Sequence, residues 1–183
     1  MDEAKKYGAD TRFNRPAKIS GDKTHMFEVY RWLLLEMKKK EKTVPDFFCT
    51  MLCTTPFRKI EHVKKAKSKL ESGNYDWVLS VNEFEHHPYR AMTINAKNLL
   101  TPTYDISEKL IWANRQELPS FYRFNGGIIA GLTKHVLNNK EYNIKYKTDL
   151  KICPIIMSQE ESIDIDNPLD LELARMVSRN GKQ

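Results

Sequence analysis

A chain of 183 residues, 40% hydrophobic and 30% charged, has enough apolar material for one buried core and the composition of an ordinary globular protein. No apolar run approaches the roughly 18 residues of a membrane helix, and the opening MDEAKKYGAD has no signal-peptide core. The formal net charge of +6 admits anionic partners. However, the lysines of EMKKKEK and HVKKAKSK fall at the end or on the polar face of predicted helices, which reads as solvated surface able to steer anionic substrates rather than as a nucleic-acid interface.

In chain order, THMFEVYRWLLLEMKKK (24–40) predicts a helix, because Met26, Val29, Tyr30, Leu33 and Met37 recur at helical spacing. Thr24 is placed to cap it, and the lysines suit its C-terminal dipole. DFFCTMLC (46–53) is a short apolar run, expected to be a strand buried on both faces. After TTPFR comes a second helix with Ile60, Val63, Ala66 and Leu70 on one face, then a turn at SGNYD and a buried strand WVLSV (77–81). Strand, helix, strand with short loops predicts an α/β fold with a mainly parallel sheet and covering helices. Ligands of such sheets sit beyond the carboxyl ends of the strands, which makes TTPFR and NEFEHHPYR candidate site loops.

Residues 88–120 have weak periodicity and read as an excursion from the sheet. FNGGIIAG (124–131) reads as a turn leading into a strand, and KICPIIM (151–157) as another strand. The last helix is predicted to start at Pro168 with Asn167 as its cap and Asp170 closing a capping box; Leu169, Leu173, Met176 and Val177 would form its core face. The cysteines, Cys49, Cys53 and Cys153, form no CxxC pair and have apolar neighbours, so buried thiols in a reducing cytoplasm are expected and zinc is disfavoured.

Three stretches could carry chemistry. In SIDID an extended backbone would turn Ile163 and Ile165 one way and Asp164 and Asp166 the other, with aspartate Cα atoms about 6.5–7 Å apart. Two such carboxylates can share a Mg²⁺ that completes its shell with water and phosphate. The other reading is a strand end entering a capped helix. His86 and His87 of EHHPYR point opposite ways in a strand and make poor joint ligands. NRQELPSFYRFNGG offers the forked donors of Arg115 and Arg123, the amide of Asn125, and a Gly126-Gly127 pair that permits close backbone approach. An acidic small-molecule site and simple surface pairing both fit it.

Taken together, KYGAD…RPAKISGDKT, CTTPFR, EHHPYRAM, NRQELPSFYRFNGGII and MSQEESIDIDNPLDLELA, in that order over residues 6–174, resemble the acylneuraminate cytidylyltransferases, the CMP-sialic acid synthetases. The resemblance implies a three-layer, Rossmann-like nucleotide-diphospho-sugar transferase fold. It implies transfer of CMP from CTP to the anomeric hydroxyl of a sialic or related nonulosonic acid, with release of pyrophosphate. It also implies that Asp164 and Asp166 hold Mg²⁺, that Arg115 meets the sugar carboxylate with Gln116 beside it, and that Arg90 stands where a substrate-reaching lysine is usual. Asn125 and Gly126 would lie beside the sugar, and Thr54, Thr55 and Arg58 would belong to the substrate loop. Residues 88–120 would form the contact of a cytoplasmic homodimer within a single domain 1–183.

The chain departs from that family at Leu52, where a glutamine is usual, and at Ile129, where a tyrosine is usual. It also has no counterpart of the Gly-rich loop that holds CTP. The resemblance therefore leads us to expect a cytidylyltransferase domain without about its first third, which binds CTP poorly and turns over little on its own. Alternatives are a partner-dependent or inactive dimerising fragment and an enzyme for pseudaminic or legionaminic acid, with octulosonic acid ranked lowest.

Overall fold

The computed structural model describes residues 2–138 and 150–180. Its contacts divide the chain into two compact units, one of Met1–Thr50, Ala66–Val78 and Ala130–Cys153, the other of Met51–Lys65, Leu79–Ile129 and Pro154–Gln183. Four strands, β1 (Phe47–Thr50), β2 (Trp77–Glu83), β5 (Tyr122–Leu132) and β6 (Ile152–Ile156), form a sheet in the order β1-β5-β2-β6. Hydrogen bonds give the directions. Asp46 meets Thr133 while Leu52 meets Gly126, and Asp76 meets Leu132 while Phe84 meets Phe121, so β5 runs against both neighbours. Asp76 meets Lys151 while Val81 meets Met157, so β2 and β6 are parallel. Three of the four strands thus share one direction, as the alternation of strand and helix predicts, with β5 inserted in reverse between β1 and β2.

In the first unit, a short helix α1 (Asp2–Lys6) precedes α2 (Met26–Glu41), which buries Phe27, Tyr30 and Leu34 at helical spacing. His25, not Thr24, is its cap: His25 Nδ1 accepts the Phe27 N–H at 3.2 Å. The Tyr30 ring lies 5.8 Å from that of Phe48, which in turn meets Trp77 edge-on at 5.5 Å. β1 is an edge strand, so it is only half-buried and Cys49 is exposed, contrary to the expected burial on both faces. Cys53 is exposed as well, and only Cys153 meets the expectation of a buried thiol. A short helix α5 (Thr133–Asn138) packs on α2. Gly131 is required where it is, because a Cβ there would stand 2.7 Å from the Trp77 ring.

The helix α3 (Ile60–Glu71) buries His62, Ala66 and Leu70, while Ile60, on its first turn, is exposed. In the second unit the irregular middle holds a hairpin of β3 (Met92–Ile94) and β4 (Leu100–Pro102). It is antiparallel, with Thr93 opposite Thr101 and their hydroxyls 3.0 Å apart. A single turn of helix, α4 (Glu108–Ile111), follows.

The last helix, α6 (Pro168–Asn180), starts where predicted, and Asn167 Oδ1 accepts the N–H groups of Leu169 and Asp170. Its predicted core face is displaced. Leu169, Leu173 and Met176 are exposed, and the inward stripe is Asp170, Ala174 and Val177. The cap explains the rotation. Asp170 Oδ2 accepts both the Asp166 and the Asn167 N–H at 3.0 Å, and holding that carboxylate inward turns the neighbouring positions 169 and 173 outward.

Candidate functional site

The loop after β1 is fixed by its own backbone. Arg58 Nη1 donates to the carbonyls of Leu52 at 2.8 Å and Thr55 at 2.5 Å, and the Leu52 N–H donates to Gly126 O at 3.3 Å. Thr55 is fully buried and its hydroxyl donates to Asn125 O at 3.1 Å. Gly126 has φ +70°, and a Cβ there would lie 2.7 Å from Leu52 Cδ1. Leu52 is therefore the side chain that closes over Gly126. β5 passes through the glycine pair without the turn expected before it; the positive φ falls inside the strand, as at a bulge.

Asn125 is a buried hub. Its Oδ1 accepts from Ser80 Oγ at 2.5 Å and from the Gly127 N–H at 3.1 Å, and its Nδ2 donates to Ser162 Oγ at 2.8 Å. Ser162 Oγ donates onward to Ser158 O at 2.6 Å. The amide expected beside a sugar makes its hydrogen bonds inside the protein, as does the Thr55 hydroxyl. Asn82, one strand step pair beyond Ser80, donates through Nδ2 to Gln159 Oε1 at 2.8 Å, and Gln159 Nε2 donates to Glu83 O at 2.6 Å.

The turn at 158–162 has a second anchor. Glu161 Oε1 pairs with Lys59 Nζ at 2.7 Å, and Glu161 Oε2 accepts the Ser158 N–H at 3.0 Å and lies 3.6 Å from His62 Nε2. The Lys59 ammonium first, and the Ser158 N–H second, hold the Glu161 carboxyl below its usual range. Sequence reasoning passed over Ser80, Asn82, Ser162, Gln159, Glu161, Lys59 and His62. The polar beats of SVN inside an apolar strand were the signal available; the pairing of 59 and 62 with 161 had none.

SIDID follows this turn as an extended segment outside the ladder, not as a strand. A rung joins the Ile165 N–H to Thr54 O at 2.9 Å. Asp164 is half-buried and its Oδ1 is enclosed without a hydrogen-bond partner, while Asp166 is exposed. An enclosed carboxylate oxygen with nothing to accept from is costly, by about 1–3 kcal/mol, unless a ligand completes it. Two carboxylates at alternate positions, one orphaned and one open to solvent, suit a Mg²⁺ that takes few protein ligands. Among the described residues no group of three or more metal-ligating side chains gathers anywhere.

The remaining candidates lie in the excursion. Arg90 ends a 3-10 turn (Pro88–Arg90), and its Nη2 donates to Ala113 O at 2.7 Å. His87 caps that turn, accepting the Tyr89 N–H, and its ring packs edge-on against Tyr89 and Phe121, which gives it a structural role. Arg115 and Gln116 are exposed on a second 3-10 turn (Arg115–Glu117), closed by Glu117 Oε2 on the Asn114 N–H at 3.0 Å. The Arg115 guanidinium has no partner among the described residues.

No family model matches the chain. Single relatives do. A CMP-N,N'-diacetyllegionaminic acid synthase of Legionella pneumophila is 26% identical over 180 residues, which is 96% of this chain and 72% of that protein. The chain is also similar to acylneuraminate cytidylyltransferases. One from Escherichia coli is 27% identical over 177 residues, covering 96% of this chain and 39% of the relative; one from Streptococcus agalactiae is 25% identical over 154 residues, covering 83% and 34%. The chain thus spans little more than a third of these two cytidylyltransferases. Solved structures agree on the fold. A 4-diphosphocytidyl-2C-methyl-D-erythritol synthase from Anaerococcus prevotii aligns with TM-score 0.61 at 14% identity, over 97% of this chain and 74% of that one. A CMP:2-keto-3-deoxy-manno-octonic acid synthetase complexed with CTP aligns with TM-score 0.54 at 12% identity, over 87% and 70%. The mixed α/β architecture is that of these nucleotidyltransferases.

Proposed function

We propose that the chain is the part of a cytidylyltransferase that receives a nonulosonic acid and the divalent ion, in an enzyme that transfers CMP from CTP to the sugar and releases pyrophosphate. The observation that carries this reading is the Asp164–Asp166 segment, held to the Thr54–Arg58 loop with one carboxylate oxygen left unpaired. Asp164 and Asp166 would hold Mg²⁺. When bound, that ion neutralises charge on the triphosphate and the departing pyrophosphate. Arg115, with its guanidinium unspent, would take the sugar's carboxylate as a forked pair. Arg90, fixed on Ala113 O, and Gln116 stand with it on the excursion. Thr54, Thr55, Arg58, Asn125 and Gly126 set the shape of the floor.

The relatives named for sialic and for legionaminic acid both support a nine-carbon acid. The excursion supports a homodimer: Ile94, Leu99, Leu100 and Trp112 are each more than half exposed there, which is an apolar surface a second copy would cover. No helix among the described residues is long and apolar enough to cross a membrane, and CTP chemistry with thiols kept reduced fits the cytoplasm.

The test is CMP-sugar formation and sugar binding by the purified chain with CTP and Mg²⁺, across N-acetylneuraminic, legionaminic, pseudaminic and octulosonic acids. Slow turnover with the nine-carbon acids, and their binding by saturation-transfer NMR, are expected. Preference for the octulosonic acid, or no binding of any of these acids, overturns the reading. Light scattering separates a dimer from a monomer, and a clean monomer at high concentration removes the dimer.

A further inference from the structure

We propose that Glu161 is a positioning residue: it presets Asp164 for a divalent cation by tying the turn before it to the start of α3. The proposal rests on the metal reading of Asp164 and Asp166. Two rungs join the same pair of segments. One is the Ile165 N–H on Thr54 O at 2.9 Å. The other is Glu161 on Lys59 at 2.7 Å and beside His62 at 3.6 Å. Asp164 lies between the rungs in sequence, so neither end of its short segment swings freely.

The anchor is itself well held. Glu161 and Ser158 close the turn reciprocally, Ser158 N–H to Glu161 Oε2 at 3.0 Å and Glu161 N–H to Ser158 Oγ at 3.2 Å. The Lys59 N–H donates to His62 Nδ1 at 3.1 Å, which orients the imidazole and leaves Nε2 to face the carboxylate. The next residue, Ser162, is pinned from the other side by Asn125 Nδ2 at 2.8 Å. The physical need for such an anchor is the orphan at Asp164 Oδ1. Without a ligand that oxygen gains by swinging out to water, and only a rigid frame keeps it enclosed. Holding the carboxylate in place beforehand removes an ordering cost that the cation would otherwise meet on binding.

Binding of Mn²⁺ alone, followed by water-proton relaxation and the electron paramagnetic spectrum, tests this in the full chain. Glu161→Ala is expected to weaken Mn²⁺ binding about tenfold, the low end for an outer residue of a metal site. Glu161→Gln, which keeps an acceptor for the Ser158 N–H, should recover part of that loss. Lys59→Met, at an exposed position that cannot unfold the core, should weaken binding in the same direction and covers the case in which Glu161→Ala does not fold. Asp76→Ala, which lowers stability elsewhere, should leave Mn²⁺ affinity unchanged; if affinity merely follows stability, the positioning role is overturned. Native affinity in Glu161→Ala and Lys59→Met, with binding lost in Asp164→Asn, sinks the proposal and leaves the metal reading standing. Native affinity in Asp164→Asn removes the metal reading, and the proposal with it.

Discussion

Asp76 and Asp164 are the same side chain put to opposite uses. Asp76 accepts the Lys151 N–H through Oδ2 at 3.0 Å and meets His135 Nε2 through Oδ1 at 2.8 Å, while its own carbonyl takes the Leu132 N–H at 3.1 Å. It thereby locks β2 between β5 and β6. The Lys151 N–H first, and His135 after it, keep its carboxyl below the ordinary value. Asp164 has an enclosed oxygen that accepts nothing. A carboxylate whose acceptors are all used works for the fold; one kept enclosed and idle marks a place for something else.

The largest effect that separates the two is on turnover. Asp164→Ala with Asp166→Ala should lower Mg²⁺-dependent CMP-sugar formation at least a hundredfold in a pyrophosphate-release assay. The same variant should unfold in urea within about 0.5 kcal/mol of the native chain, or later, since no bond is lost at Asp164. A turnover unchanged by the pair of substitutions ends their metal role. Asp76→Ala should do the reverse, costing about 2–3 kcal/mol in the same urea experiment through the loss of charge-assisted bonds. Its sugar and Mn²⁺ binding should stay native.

Gly126→Ala comes next. It places a Cβ 2.7 Å from Leu52 Cδ1 at a φ of +70°, and about 1–3 kcal/mol of destabilisation is expected. Adding Leu52→Ala should recover the steric part and leave the backbone part, which a double-mutant cycle measures.

The smallest effect is on the acid limb of stability. Asp76 and Glu161 have native values depressed from 3.8 and 4.5. Their contribution is complete above those ordinary values and is lost as pH falls through the lower native ones, where the unfolded chain has already taken up the protons. Urea midpoints should therefore drop below about pH 4.5, and Asp76→Asn with Glu161→Gln should flatten that drop.

Helices and strands were legible from periodicity and turn chemistry: α2, α3, β2 and β6 lie where apolar spacing placed them, and Pro168 opens α6. The candidate site was legible as chemistry but not as geometry. Asp164, Asp166 and Arg115 stand with unspent polar groups, whereas Asn125 and Thr55 look identical to ligands in sequence, yet the Asn125 amide is taken up by Ser80, Ser162 and the Gly127 N–H, and the Thr55 hydroxyl by the Asn125 carbonyl. Periodicity also misplaced the core face of α6, because the inward pull of Asp170 depends on two amides that only the folded loop presents.

What the sequence alone determined is local: which segments are helical or extended, where a helix is capped, and which residues carry the right chemistry in the right order. Tertiary structure decided which polar atoms are used up. That depends on bonds such as Asn125 to Ser162 and Glu161 to Lys59, which span 37 and about a hundred positions. No local pattern encodes a pairing at that distance, since each partner's periodicity is satisfied without the other.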